Sequence, residues 1–199
     1  MGSASITAAQ KLIDAKAYPP THNYDVATLT PYYPMNERLA ILDTMYHAMF
    51  AADRFLDVGC SKGFFSLLAA KKSNMVVAID PDQKVLDCWA GICPPNVTQQ
   101  CIGFKGVRGE FDTIWIGNGH HYLYREDKNW IEHLAELSTF CVVVEGPTGP
   151  QCPEMAYFGE YQYEPEFLEA MSKDFTLHER KPSPNYTPGR AVWLFFKTS

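Results

Sequence analysis

The sequence predicts an α/β domain: a mostly parallel seven-stranded sheet with helices on both faces, closed by an antiparallel C-terminal strand. Three observations predict it. From residue 54 onward, short apolar runs alternate with segments of helical spacing. The runs are nearly continuous rather than strictly alternating, which suits strands covered on both faces. The last two, DFTLHER and GRAVWLFFK, follow one another across PSPNYTP, a connection that suits an antiparallel pair at the sheet edge.

Taken in order, residues 5–16 read as a short helix, and 18–35 as a loop whose prolines block regular structure. Asn36 is placed to cap a helix over 37–51, where Leu39, Leu42, Met45, Tyr46, Met49 and Phe50 recur at three to four residues. Strand RFLDVG (54–59) leads to helix KGFFSLLAAKK (62–72), and strand MVVAID (75–80) to helix QKVLDCWAG (83–91). Strands VTQQCI (97–102) and FDTIWIG (111–117) precede helix DKNWIEHLAEL (127–137), strand FCVVVEG (140–146) and helix EPEFLEAMSK (164–173). Residues 1–52 form an N-terminal helical extension and loop, and 53–199 the main domain.

At 199 residues the chain suits one domain with a sizeable core. Its formal net charge of −6 argues against a broad basic surface gripping a long nucleic acid, while leaving room for a local contact with a nucleotide or RNA end. No stretch approaches the roughly 18 apolar residues needed to span a bilayer, so no membrane partner is expected. The six cysteines form no C-x-x-C pair and several lie in apolar runs, so they read as buried thiols rather than metal ligands, in a reducing, cytoplasmic setting.

The stretch LDVGCSKG ends a strand at Val58. Gly59 lets the backbone turn tightly, and Gly63 lets the next helix start close to a ligand. Counting from Gly59, Ser61 and Phe64 stand where a dinucleotide fingerprint needs glycines, and no G-K-[ST] follows as a P-loop requires. Asp80 ends the second strand, where a carboxylate can accept hydrogen bonds from two ribose hydroxyls.

These pieces together resemble motif I and the following acidic strand end of the Rossmann-like class I S-adenosylmethionine (SAM) dependent methyltransferases. Asp57, Gly59 and Gly63 match D-x-G-x-G-x-G, with Ser61 at the middle glycine, over residues 53–199. The resemblance implies that SAM is the cofactor and S-adenosylhomocysteine (SAH) the product. It implies a cofactor site of Asp57, Gly59, Cys60, Ser61, Lys62, Gly63 and Asp80, with Phe104 near the adenine and Asn118 at the fourth strand end. It also implies a lid role for residues 1–52.

The acceptor region follows the fourth strand, in GNGHHYLYRE. It lacks the N-P-P-Y of amino-methylating DNA enzymes, and no aspartate stands at 117–122 for the Lys-Asp-Lys-Glu set of ribose methyltransferases. His121, Tyr122 and Tyr124 instead resemble the H-Y-x-F of mRNA cap guanine-N7 methyltransferases, and GCSKG is similar to their G-C-G-K-G. That resemblance implies a capped RNA 5′ end or cap analogue as partner, with His121 and Tyr122 as catalytic candidates; Glu145, at the end of the fifth strand in VVVEGP, is a further candidate by its position, suited equally to hydrogen-bonding a guanine edge or to capping a loop. His120, Tyr124 and Tyr161 are then substrate contacts, with Tyr24, Tyr32, Tyr33, Tyr157 and Tyr163 as further candidates for stacking on a base. The compact size suits a viral protein, for which the compartment would be the host cytoplasm. Guanine N7 carries a lone pair and no proton, so such a site needs alignment rather than a strong base.

Two other readings stand beside it. One is a small-molecule O- or N-methyltransferase with His121 as base, since histidine titrates near neutrality. The other is a non-catalytic module that keeps the fold and binds RNA or protein. The second has no need for a cofactor turn joined to a ribose acid.

Overall fold

Seven apolar runs become the strands of one sheet in the computed structural model, which describes residues 3–14, 24–31, 52–117, 119–150, 152, 162–183 and 189–198. They are β1 (Arg54–Val58), β2 (Met75–Ile79), β3 (Val97–Gln100), β4 (Phe111–Gly117), β5 (Ser138–Pro147), β6 (Phe175–Pro182) and β7 (Arg190–Lys197). Their order is β3-β2-β1-β4-β5-β7-β6. The first five pair in parallel, and β7 runs antiparallel to both β5 and β6. The expected antiparallel pair therefore occupies the sheet edge, with the last strand on its inner side.

Helices α1 (Ser3–Asp14), α2 (Phe64–Ala69), α3 (Gln83–Asp87), α4 (His120–Glu126), α5 (Trp130–Leu137) and α6 (Glu164–Met171) accompany the sheet. Because successive strand side chains point to opposite faces, the sheet divides its apolar residues between two cores. Phe55, Val76, Ala78, Trp115 and Val143 pack with Ile13, Phe64, Phe65 and Trp89 on one face. Leu56, Val77, Ile114, Val142 and Trp193 pack with Trp130, Leu134, Phe167 and Met171 on the other. All four tryptophans are at most 1% exposed, and loss of one such side chain costs about 3–5 kcal/mol.

Several expectations are revised. The helix predicted over 62–72 is confined to Phe64–Ala69, because the turn before it continues through a left-handed Gly63. Helix 83–91 stops at Asp87, and a 3₁₀ turn covers Ala90–Ile92. HHYLYRE, to which the sequence pattern assigns no element, forms helix α4. Inside the predicted loop 18–35, Tyr24–Asp25 pairs antiparallel with Thr30–Pro31; Asp25 closes the turn, accepting hydrogen bonds from Thr28 N and Oγ1 at 2.8 Å each. The predicted helix 37–51 lies outside the described residues. Residues 3–14 and 24–31 of the N-terminal extension contribute Ala9, Ile13, Tyr24 and Val26 to the first core. The six cysteines are thiols; Cys60, Cys88, Cys141 and Cys152 are buried as expected, but Cys101 is exposed just past the end of β3. Among the described residues no helix is long and apolar enough to cross a membrane.

Candidate functional site

After β1 the backbone adopts positive φ three times in five residues, at Gly59 (69°), Ser61 (49°) and Gly63 (77°). The turn is pinned to the neighbouring strand by Cys60 N, which donates to Ile79 O at 2.9 Å, and closed by Gly63 N donating to Cys60 O at 2.9 Å. The two glycines do different work. A Cβ on Gly59 would meet nothing within 4 Å, whereas one on Gly63 would lie 2.3 Å from the Trp89 indole. Trp89 Nε1 donates to Ser61 O at 3.1 Å, so the indole is a floor beneath the turn. Ser61 carries a left-handed conformation that costs a side-chain-bearing residue about 1–2 kcal/mol. Its amide gains a charge-assisted bond to Asp80 Oδ2 at 3.0 Å in return.

Asp80 stands just past β2, half-buried, its other oxygen accepting from Asp82 N at 2.9 Å. Burial raises its pKa, and the amides of Asp82 and Ser61 oppose that rise. Each carboxylate oxygen keeps a lone pair for a further donor. An open glycine turn beside a half-exposed carboxylate fits a ligand that brings hydroxyl groups to the strand end.

The other predicted cofactor residues face elsewhere. Asp57 is 1% exposed and accepts from Ser66 Oγ at 2.5 Å. Cys60 is buried, and burial followed by the nearby Asp57 and Asp80 carboxylates pushes its thiol well up. The Lys62 side chain leaves the turn, and its ammonium donates to the carbonyl of Ile13 in α1. Phe104 turns into the second core, its ring 5.2 Å from that of His133. Asn118 lies outside the described residues.

A second group gathers at the same end of the sheet, where β4 and β5 finish and β7 begins. His120 and His121 open α4, at 0% and 1% exposure. Gly146 of β5 has no room for a side chain because a Cβ there would sit 2.0 Å from His120 Nδ1. Burial, followed by the charges of His121 and Arg190, pushes the His120 pKa down to about 3; burial, Arg190 and Arg125 do the same for His121. Both imidazoles are therefore neutral at pH 7. Glu145 is fully buried, with Oε1 accepting from Ser183 Oγ at 2.6 Å across to the end of β6. Tyr122 is exposed with its ring 4.2 Å from that of His121. Tyr124 is half-buried, with Lys128 Nζ 3.8 Å from its ring centre.

Thus Gly59, Ser61, Gly63 and Asp80 form one cluster, and His120, His121, Tyr122 and Glu145 another, both at the carboxyl ends of parallel strands where open α/β sheets bind ligands. Tyr24 is buried, its hydroxyl donating to Lys62 O at 2.7 Å, and so is not a stacking surface. Tyr163 is exposed at the start of α6, while Tyr32, Tyr33, Tyr157 and Tyr161 lie outside the described residues. Trp89, Ser66, Ser183 and Arg190 also support the two clusters, and the motifs do not point to them. The Trp89 signal lay in the apolar spacing of VLDCWAG; Ser183 and Arg190 carry no local signal.

No protein-family model matches the sequence, and no curated protein matches it. Solved structures do match. The N-methyltransferase NodS from Bradyrhizobium japonicum WM9, in complex with SAH, is 11% identical with a TM-score of 0.71, over 98% of this chain and 99% of that one. Magnesium protoporphyrin IX methyltransferase (ChlM) from Synechocystis PCC 6803, with bound SAH, is 12% identical with a TM-score of 0.68, over 98% and 95%. An rRNA methylase from Escherichia coli is 21% identical with a TM-score of 0.61, over 100% of this chain and 78% of that one. The strand order, the antiparallel β7 and these matches give the chain the Rossmann-like fold of the class I methyltransferases.

Proposed function

We propose that the chain is a SAM-dependent methyltransferase whose acceptor is a nitrogen lone pair, the guanine N7 of an RNA cap. For the cofactor, support comes from the open turn at Gly59 with Asp80 beside it, and from neighbours of the same fold solved with SAH. SAM supplies an electrophilic methyl group on a sulfonium centre. Asp80 would accept hydrogen bonds from the ribose hydroxyls, and the backbone of the turn would hold the rest of the molecule.

One observation carries the acceptor reading: the two histidines beside the acceptor end of the sheet are buried, and that burial pushes their pKa values down to about 3 and favours the neutral form. Neither changes charge near neutrality, so the pair suits positioning of a nucleophile that has no proton to lose. The likeness of HHYLYRE to the cap N7 motif, and the rRNA methylase among the structural neighbours, point to guanine in RNA.

A second reading is favoured by the net charge of −6, which suits an acceptor with few phosphates: a small-molecule amine or hydroxyl, with His121 as the base. Tritiated methyl transfer from SAM to a short RNA with an unmethylated guanosine cap, run beside the same RNA already methylated at N7, separates the two. Transfer to the first alone supports cap N7. Transfer to both points to another position in the RNA, and transfer to neither, with SAM bound, refutes RNA as acceptor.

A further inference from the structure

The motif lysine at position 62 is buried at 1% exposure, as deeply as Asp57 of β1. Its ammonium donates to Ile13 O, a carbonyl of the last turn of α1, where helices leave such acceptors without an internal partner. A cation there is also favoured by the helix dipole. The same residue's carbonyl accepts from Tyr24 Oη at 2.7 Å, and the Tyr24 ring lies 5.2 Å from that of Phe64, the first residue of α2. Gln10 of α1 completes the connection, donating through Nε2 to Tyr24 O at 3.0 Å and accepting from Val26 N at 2.7 Å. One lysine, one tyrosine and one glutamine thus tie α1 and the 24–31 hairpin to the turn that runs from Gly59 to Gly63.

We propose that Lys62 is a positioning residue, and that through Ile13 and Tyr24 it couples the docking of α1 to the conformation of the cofactor turn. The inference rests on the SAM reading above. The turn holds three positive-φ residues, one of them a serine, and such a backbone persists only where its surroundings over-determine it. Gly63 is fixed from below by Trp89; Lys62, the residue between Ser61 and Gly63, is fixed from the side by α1. Coupling is reciprocal: if docked α1 favours the binding form of the turn, cofactor must favour docked α1.

The test measures SAH affinity by calorimetry together with amide hydrogen exchange over residues 3–14, with and without SAH. In the wild type, SAH is expected to slow exchange in α1. In Lys62→Met, affinity should fall by about tenfold, inside the range usual for site-to-site coupling, and the SAH-dependent protection of α1 should vanish. Lys62→Arg, which keeps a cation in reach of Ile13 O, should recover part of both. Should Lys62→Met fail to fold, Tyr24→Phe removes only one hydroxyl and is expected to shift both readouts in the same direction. Wild-type affinity together with unchanged α1 protection in these variants overturns the coupling while leaving the cofactor reading intact. A wild type that binds no SAH overturns the cofactor reading and the coupling with it.

Discussion

Gly63→Ala is expected to be the most damaging single-methyl change in the cofactor turn, and Gly59→Ala its internal control. At both positions the new residue must hold a left-handed backbone, at about 1–2 kcal/mol. Only at Gly63 does the added Cβ collide, 2.3 Å from two ring atoms of a tryptophan that is 0% exposed and hydrogen-bonded to Ser61 O. Overpacking of that kind costs about 1–3 kcal/mol, so Gly63→Ala should lose about 2–5 kcal/mol in all. For a domain of this size each kcal/mol lowers Tm by about 2–4 °C, which predicts a fall of about 4–20 °C against about 2–8 °C for Gly59→Ala. Urea and thermal unfolding without cofactor give both values free of ligand effects. In a Trp89→Leu background the collision is relieved, and the gap between the two variants should close. Equal losses at the two glycines, or a gap that survives Trp89→Leu, would refute the steric argument.

Asp80→Asn keeps the shape but removes the charge, and should weaken SAH by about 1.5–3 kcal/mol in calorimetry; unchanged affinity would remove Asp80 from the cofactor site. Folding depresses the pKa of His120 and His121 from 6.5 to about 3, so on acidification the unfolded chain takes up protons first. The stability conferred by the neutral pair is fully present above pH 6.5 and is lost as pH falls toward 3, by about 2 kcal/mol per histidine at pH 5. Tm measured from pH 7.5 to 5 should fall accordingly, and two of the six histidine resonances should show no titration in that range. The rate of methyl transfer, for the same reason, should show no limb from either imidazole between pH 6 and 8; a limb there that disappears in His121→Gln would favour the general-base reading. Ser183→Ala leaves the fully buried Glu145 without its 2.6 Å donor and should cost about 1.5–3 kcal/mol in urea unfolding.

The sheet was legible because β1, β2, β4 and β5 are continuous apolar runs bounded by turn residues, a pattern that double-sided burial imposes on sequence. Gly59 and Gly63 were legible as a turn, since positive φ demands them. The second reason for Gly63 was not, because the indole beneath it comes from Trp89, outside the motif. α4 is less legible because it is a seven-residue helix of histidines, tyrosines and charged residues whose only apolar signal is His120, Leu123 and Tyr124 at helical spacing on one side. The direction of Lys62 is set by an α1 carbonyl 49 residues away, a long-range contact that local spacing does not encode. The neutral state of His120 follows from burial against Gly146, Phe167 and Trp193, which only the assembled fold brings together.

The place of β7 between β5 and β6 bears on how the chain is made. Ribosomal synthesis releases the parallel core first, yet the edge of β5 meets its antiparallel partner only when residues 190–197 emerge. Until then a run of four apolar residues, Cys141 to Val144, presents unpaired backbone groups to any passing strand. A nascent chain stalled before residue 190 is thus a target for chaperones and for edge-to-edge aggregation. β6 has no neighbour in the sheet except β7, so this edge of the sheet is completed only as β7 docks beside β5.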